Sequence, residues 1–247
     1  MDRYHVPELA RYGPGSRFAL LGPEAHHLGR VKRARPGEVV LVFDGLGDEA
    51  WAQVEAVERG RVWLTRLARP SPRIEPGFEL EIAMAVIERK RLLWAVEKCT
   101  ELGVGRIVLL ETERTDRGAG SVQRLHARAL EAAKQSGVLR PAVIEPPRPL
   151  ERYLSERAES AARKLLLDPR APSPLGARLA GAAGCRPIAV AIGPPGGWTA
   201  AECERCVAAG FEPVRFGRSV LRTETAAIAV AGCVRAQAEV DAARKEA

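Results

Sequence analysis

Ile192-Gly193-Pro194-Pro195-Gly196-Gly197-Trp198 and Val220-Leu221-Arg222-Thr223-Glu224-Thr225-Ala226 are the two stretches whose reading decides the fold. Each follows an apolar run of strand length, and each leads directly into a helical pattern. In open α/β sheets, ligands bind at the carboxyl ends of strands, where such loops lie. The adjacent Gly196 and Gly197 remove Cβ atoms where a backbone must bend sharply or approach a ligand closely. A loop this bare and rigid suits a flat, partly charged molecule held against main-chain groups.

Outward from these loops the chain alternates between strand and helix. Apolar runs predict strands at 80–87, 106–110, 164–167, 188–192 and 213–216. Helical periodicity covers 89–102, 121–136, 199–209 and 225–243, with Gly103 and Gly137 as stops. Thr199 and Glu202 form a capping-box pattern, which makes Thr199 the N-cap. Such alternation implies a mainly parallel sheet covered on both faces. Residues 1–70 read differently, as a small β-rich unit with strands at 38–43, 51–57 and 61–67. Between the two, 71–77 is the linker, since 69–77 holds three prolines in nine residues.

The chain has 247 residues, enough for two modest domains with real cores. Its longest strongly apolar run, 226–234, is too short to span a bilayer. The N-terminus has no apolar segment typical of a secretory signal, so the expected compartment is the cytoplasm. A net charge of +7 favours an anionic partner such as nucleic acid. Of the 38 cations 32 are arginine, and asparagine is absent. Heat adaptation explains the loss of thermolabile amides, and a GC-rich genome would also enrich arginine.

Five cysteines, an odd number, argue against a disulfide framework. Cys203 and Cys206 have the spacing of half a zinc site, but no second pair completes it. With Val207 they fall on one helical face and read as packed core thiols. His26 and His27 lack a ligand pattern, so no metal is expected, and they read as surface or packing residues. Trp51, Trp63 and Trp94 sit in apolar patterns and read as core, whereas Trp198 adjoins the glycine loop. Neither a phosphate-gripping G-x-x-x-x-G-K-[ST] nor a G-x-G-x-x-G after a strand is present. This disfavours an ATPase or a nicotinamide oxidoreductase. Arg30, Lys32, Arg33 and Arg35 form a compact basic run of the kind that contacts phosphates.

Several segments, taken in order, resemble one family. The glycine loop and the 220–226 segment resemble the knotted cofactor loops of the SPOUT RNA methyltransferases. The closest likeness is to the enzymes that methylate N3 of a uridine in small-subunit ribosomal RNA. Glu101-Leu102-Gly103-Val104, Glu113-Arg114, Gln135-Ser136-Gly137 and Leu167-Asp168-Pro169-Arg170-Ala171 resemble family segments in the α/β part. Those of the N-terminal part are His26-His27-Leu28-Gly29-Arg30-Val31 and Phe43-Asp44-Gly45. Three places depart from the pattern, one being the stretch after Gly137, which reads Val138-Leu139-Arg140 where the family usually carries another arginine. Pro195 stands where the family carries an acidic residue, and Lys134 stands where glutamate precedes Gln-Ser.

The resemblance implies an α/β fold with a trefoil-knotted, mainly parallel sheet and helices on both faces over 78–247. It implies a small PUA-like β-barrel over 1–70. The cofactor is then S-adenosylmethionine, held by Leu167, Ile192, Gly193, Gly196, Gly197, Leu221, Thr223 and Ala226. The implied partners are small-subunit ribosomal RNA and a second copy of the chain in a homodimer, with no membrane. Arg114, Gln135 and Arg140 are expected to face RNA beside Arg30, Lys32 and Arg33. Arg222 is the candidate to stabilise the anion that forms when the uridine imide loses its proton. Glu224 is the candidate to orient Arg222, with proton abstraction as its alternative role. Methylation of another RNA and a non-catalytic role in RNA binding or ribosome assembly are the rival readings.

Overall fold

The computed structural model describes residues 2–69, 78–115, 120–180 and 187–246. The expected linker at 71–77 lies outside the described residues. Two compact units emerge: Met1–Glu75 with Ala133–Arg140, and Pro76–Ala132 with Pro141–Ala247.

The first unit is a curled five-stranded sheet in the order β1-β3-β4-β5-β2. Its strands are β1 (Arg3–His5), β2 (Arg17–Leu21), β3 (Val39–Phe43), β4 (Glu49–Glu58) and β5 (Arg61–Arg66). Only β1 and β3 run parallel. The irregular alternation noted at 51–57 has a cause, since the β4–β5 register shifts between Val54 and Ala56. Phe18, Leu20, Val40, Val42, Ala50, Ala52, Val54, Val62 and Leu64 point inward, packed with Leu28 from the turn after α1 (Gly22–His26). Of the expected core tryptophans, Trp51 and Trp63 are only half-buried here. Trp63 lies under the Arg17 guanidinium at 4.2 Å and donates its indole N–H to Glu58. A strand on a curled sheet has an outer face, and alternation alone does not say which face is inside.

The second unit is a six-stranded parallel sheet in the order β11-β9-β10-β6-β7-β8. Its strands are β6 (Leu80–Ala85), β7 (Arg106–Glu111), β8 (Val143–Pro149), β9 (Arg163–Leu167), β10 (Ile188–Ile192) and β11 (Glu212–Val214). Helices α2 (Arg89–Glu101), α3 (Val122–Ser136), α4 (Leu150–Arg157), α5 (Leu175–Leu179), α6 (Ala200–Ala208) and α7 (Thr223–Glu246) complete the chain. Successive strand residues face opposite sides, so each strand feeds two cores. Ile82, Met84, Ile107, Leu109, Leu165, Val190 and Ile192 pack under α2, α3, α5 and α7. Ala83, Val108, Leu110, Leu166 and Ala191 pack under α4 and α6, with Tyr153, Cys206 and Phe211. Helices therefore cover both faces, as expected.

Three elements of this unit went unforeseen: β8, α4 and the short α5. β8 contains Pro146, Pro147 and Pro149, which read as loop. It is tolerated because it is an edge strand, and its pairing with β7 is interrupted between Val108 and Leu110. α4 follows directly and buries Leu150, Tyr153 and Leu154. Trp94, expected in the core, is 46% exposed on α2. Among the described residues no helix is long and apolar enough to cross a membrane. Ile82 is fully buried at the centre of the parallel sheet. Ile82→Ala is therefore expected to cost about 2–5 kcal/mol, read as a lowered denaturant midpoint.

Candidate functional site

Strand register brings the candidate residues to one rim. β10 lies between β6 and β9, and Ile192 stands opposite Met84 on one side and Leu167 on the other. Val214 of β11 stands opposite Leu167 as well. The loops leaving the carboxyl ends of β9, β10 and β11 therefore emerge side by side. A run as apolar as Ile188–Ile192, buried at every position, is what a strand flanked and covered on all sides requires.

Four side chains fix these loops. The Trp198 indole N–H donates to the Leu167 carbonyl at 3.1 Å and joins the loops after β9 and β10. Its ring passes 3.0 Å from where a Cβ on Gly193 would sit. The Thr223 hydroxyl donates to the Gly193 carbonyl at 2.8 Å and ties the start of α7 to the glycine loop. Arg114, in the loop after β7, donates to the Gly196 carbonyl at 2.7 Å. Glu202 is 1% exposed, and each of its carboxylate oxygens accepts a main-chain N–H, from Thr199 at 2.8 Å and from Glu113 at 2.9 Å. The capping box foreseen at Thr199 thus has a second function, bracing the loop that carries Arg114.

The rim is apolar below and polar above. Ile192, Leu167, Thr223 and Ala226 are buried, Leu221 is half-buried, and Gly196 and Gly197 are exposed. Gly197 has φ +71°, a left-handed conformation that favours glycine, and open space lies where its Cβ would be. Arg222 is exposed, and its carbonyl accepts the Ala226 N–H at 2.8 Å as α7 begins. Glu224 is buried in the first turn of α7, where the helix dipole favours a negative charge. Its ion partner is Arg91 of α2 at 3.8 Å and not Arg222, which it was expected to orient.

Asp168 follows Leu167 and is buried. Burial raises its carboxyl, but hydrogen bonds from the Arg170 side chain and main chain, together with the guanidinium charge, outweigh this and hold it below its ordinary 3.8. Cys203 lies 3.8 Å from the same carboxylate. Burial pushes the Cys206 thiol up to about 12, which suits a packed, unreactive sulfur. Val207, expected on the same inner face, is 50% exposed, because the helix turns it away from Cys203 and Cys206. Among the described residues no cluster of three or more histidine, cysteine or acidic side chains is placed to hold a metal.

The residues expected to face RNA divide between the two units. Arg114 belongs to the glycine-loop site. Arg30, Lys32 and Arg33 are exposed in the turn after α1, with Lys32 paired to Asp2 at 2.8 Å and Arg33 at φ +55°. Gln135 and Arg140 are exposed in the 133–140 segment of the same unit. His26 and His27 are exposed, and His27 makes an edge contact with the Tyr4 ring. Sequence reading missed Glu202 as a brace and Asp168 as a loop anchor. The capping-box spacing was the signal for the first, whereas nothing local marked the distant partner Glu113.

Two outcomes follow from this geometry. Gly193 has no positive φ, so Gly193→Ala is allowed by its backbone but presses on the rigid Trp198 ring. It should cost about 1–3 kcal/mol and shift the indole fluorescence, whereas Gly176→Ala, with open space around it, should do neither. Asp168 should contribute stability that is fully present above its ordinary 3.8 and lost as pH falls through its lowered folded value. Asp168→Asn should accordingly flatten the acid side of the stability curve between about pH 5 and pH 2, measured by urea titration at each pH.

Comparison with known proteins shows the family to which this fold belongs. Residues 75–235 match the RNA methyltransferase domain family, and residues 20–65 match the RNA methyltransferase PUA domain. The ribosomal RNA small subunit methyltransferase E of Mycobacterium bovis is 32% identical over 227 residues, covering 86% of this chain and 84% of that protein. Its namesake from Synechocystis is 31% identical over 210 residues, covering 84% and 69%. A crystal structure of the Neisseria gonorrhoeae ribosomal RNA small subunit methyltransferase E, bound to S-adenosyl methionine, superposes with a TM-score of 0.87 at 28% identity, covering 96% of this chain and 97% of that one. On the shared domain, the shared fold and these identities, the chain belongs to the RNA methyltransferase family, among the small-subunit ribosomal RNA methyltransferases E.

Proposed function

We propose that the protein methylates N3 of one uridine in small-subunit ribosomal RNA, with S-adenosylmethionine as methyl donor. The single observation that supports this reading is the Thr223–Gly193 hydrogen bond, which ties the residue next to Arg222 to the glycine loop. The residues present suit the cofactor. Buried Ile192 and Leu167 offer an apolar floor for an adenine, and the exposed Gly196–Gly197 edge offers main-chain polar groups without side chains in the way. The Neisseria relative, similar across nearly the whole chain, carries this cofactor. When bound, S-adenosylmethionine supplies an activated methyl group on a sulfonium.

The chain's own residues then orient the uridine and manage its proton. N3 must lose a proton as its bond to carbon forms, and the developing charge spreads onto the flanking carbonyl oxygens. An exposed guanidinium at Arg222 supplies forked donors to that charge. Glu224, paired with Arg91 in the first turn of α7, would orient Arg222 only through that turn, and proton abstraction is its alternative role. The first unit supplies RNA contacts through Arg30, Lys32 and Arg33, and Gln135 and Arg140 add to them. The expected knot and homodimer belong to the same reading.

Nucleoside mass spectrometry of small-subunit ribosomal RNA from a strain lacking the gene tests the reaction. One N3-methyluridine should vanish and return on complementation. A loss confined to another modified nucleoside would favour a different RNA position or atom, and no loss would favour a non-catalytic role. Arg222→Lys keeps the charge but loses the planar fork. Its single-turnover rate should fall by roughly ten- to a thousandfold with cofactor affinity little changed. A wild-type rate would remove Arg222 from the chemistry.

A further inference from the structure

The 133–140 segment closes α3 and carries Gln135 and Arg140, yet it packs with the β-rich unit. Three side chains account for this. Arg3 of β1 is buried and donates to the carbonyls of Ala133 at 2.8 Å and Val138 at 3.2 Å, on either side of the helix end. Its guanidinium is oriented by Glu49 of β4 at 2.7 Å and lies 4.4 Å over the Phe43 ring of β3. A cation at a helix C-terminus also meets the negative end of the dipole. Lys134 pairs with Glu24 of α1 at 2.8 Å, with both side chains largely buried at 11% and 17% exposure. Arg140 donates its Nε to the Leu46 carbonyl at 2.9 Å and lies against Gly47.

We infer that Glu24 and Lys134 are positioning residues for RNA, forming with Arg3 a clamp that holds Gln135 and Arg140 at fixed places on the β-rich unit. This rests on the RNA methylation reading above. It also gives Lys134 a role here, as the partner of Glu24. Both partners are largely removed from water, so reversing either charge opposes two like charges at close range. The exposed Gln135 follows Lys134 directly, so its placement depends on that pair.

The test uses Glu24→Lys, Lys134→Glu and the double variant that exchanges the two charges. Small ribosomal subunits from a strain lacking the gene serve as substrate. Each single variant should raise KM for the subunit on the order of tenfold, with kcat and S-adenosylmethionine affinity within about twofold of wild type. The double variant should restore KM. Hydrogen exchange at the amides of 135–140 should quicken in each single variant and slow again in the double one. Unchanged KM in folded single variants, or a double variant that recovers stability without recovering KM, would overturn the inference. Where a reversal prevents folding, Lys134→Met removes the charge without introducing repulsion and should show the same KM-only defect, and a normal KM there overturns the inference too. If the wild-type protein fails to methylate the subunits, the reading of function has failed. The exchange rates then decide the clamp alone, and unchanged rates in the single variants would overturn it.

Discussion

The hydrogen bond from the Trp198 indole to the Leu167 carbonyl is the constraint on which the site depends. It joins the loops that leave two neighbouring strands, and it does so from beneath, with the ring buried in the core under α6. A carbonyl at the end of a buried strand needs a partner, and an indole has one donor and a large apolar body to bury with it. Because the ring occupies the space beside position 193, that position has no room for a side chain. The shape of the glycine loop therefore follows from the tryptophan under it as much as from the glycines within it.

Buried carboxylates extend this arrangement outward. Glu202 divides its two oxygens between the start of α6 and the loop after β7, so the Arg114 loop and the glycine loop share one anchor. Asp168 does the same on a smaller scale, holding Arg170 by both main chain and side chain. Each of these groups satisfies N–H donors that would otherwise be left unpaired, which is why removal from water is tolerable. Loops built this way are held by a few directional bonds. They can present exposed main chain at Gly196 and Gly197 without losing their form.

Legibility differed between the two units for a physical reason. In the parallel sheet, strands buried on both faces are continuous apolar runs, and Ile188–Ile192 was bounded to the residue. In the curled sheet, one face is open to solvent, so Trp63 alternates correctly yet carries a cation on its outer side. Short strands such as β1 have too few residues to show a period, and the prolines of β8 hide a strand that only an edge position permits. Trp94 looked apolar enough for a core because periodicity assigns a residue to a stripe without fixing how wide the buried stripe is.

The sequence by itself determined the alternation of strands and helices, the two loops that matter, the Thr199 cap and the family resemblance. These depend on neighbours within a few residues, where hydrophobic period, capping chemistry and glycine placement act directly. Tertiary structure alone decided which loops meet and which charges pair. Strand order places β10 between β6 and β9, and no local pattern encodes a sheet order. Glu224 beside Arg91, Glu202 beside Glu113 and Lys134 beside Glu24 are contacts between residues far apart in the chain. Such pairs arise only when packing has closed the long loops between them, so the role of each charge was settled by the fold and not by its neighbours in sequence.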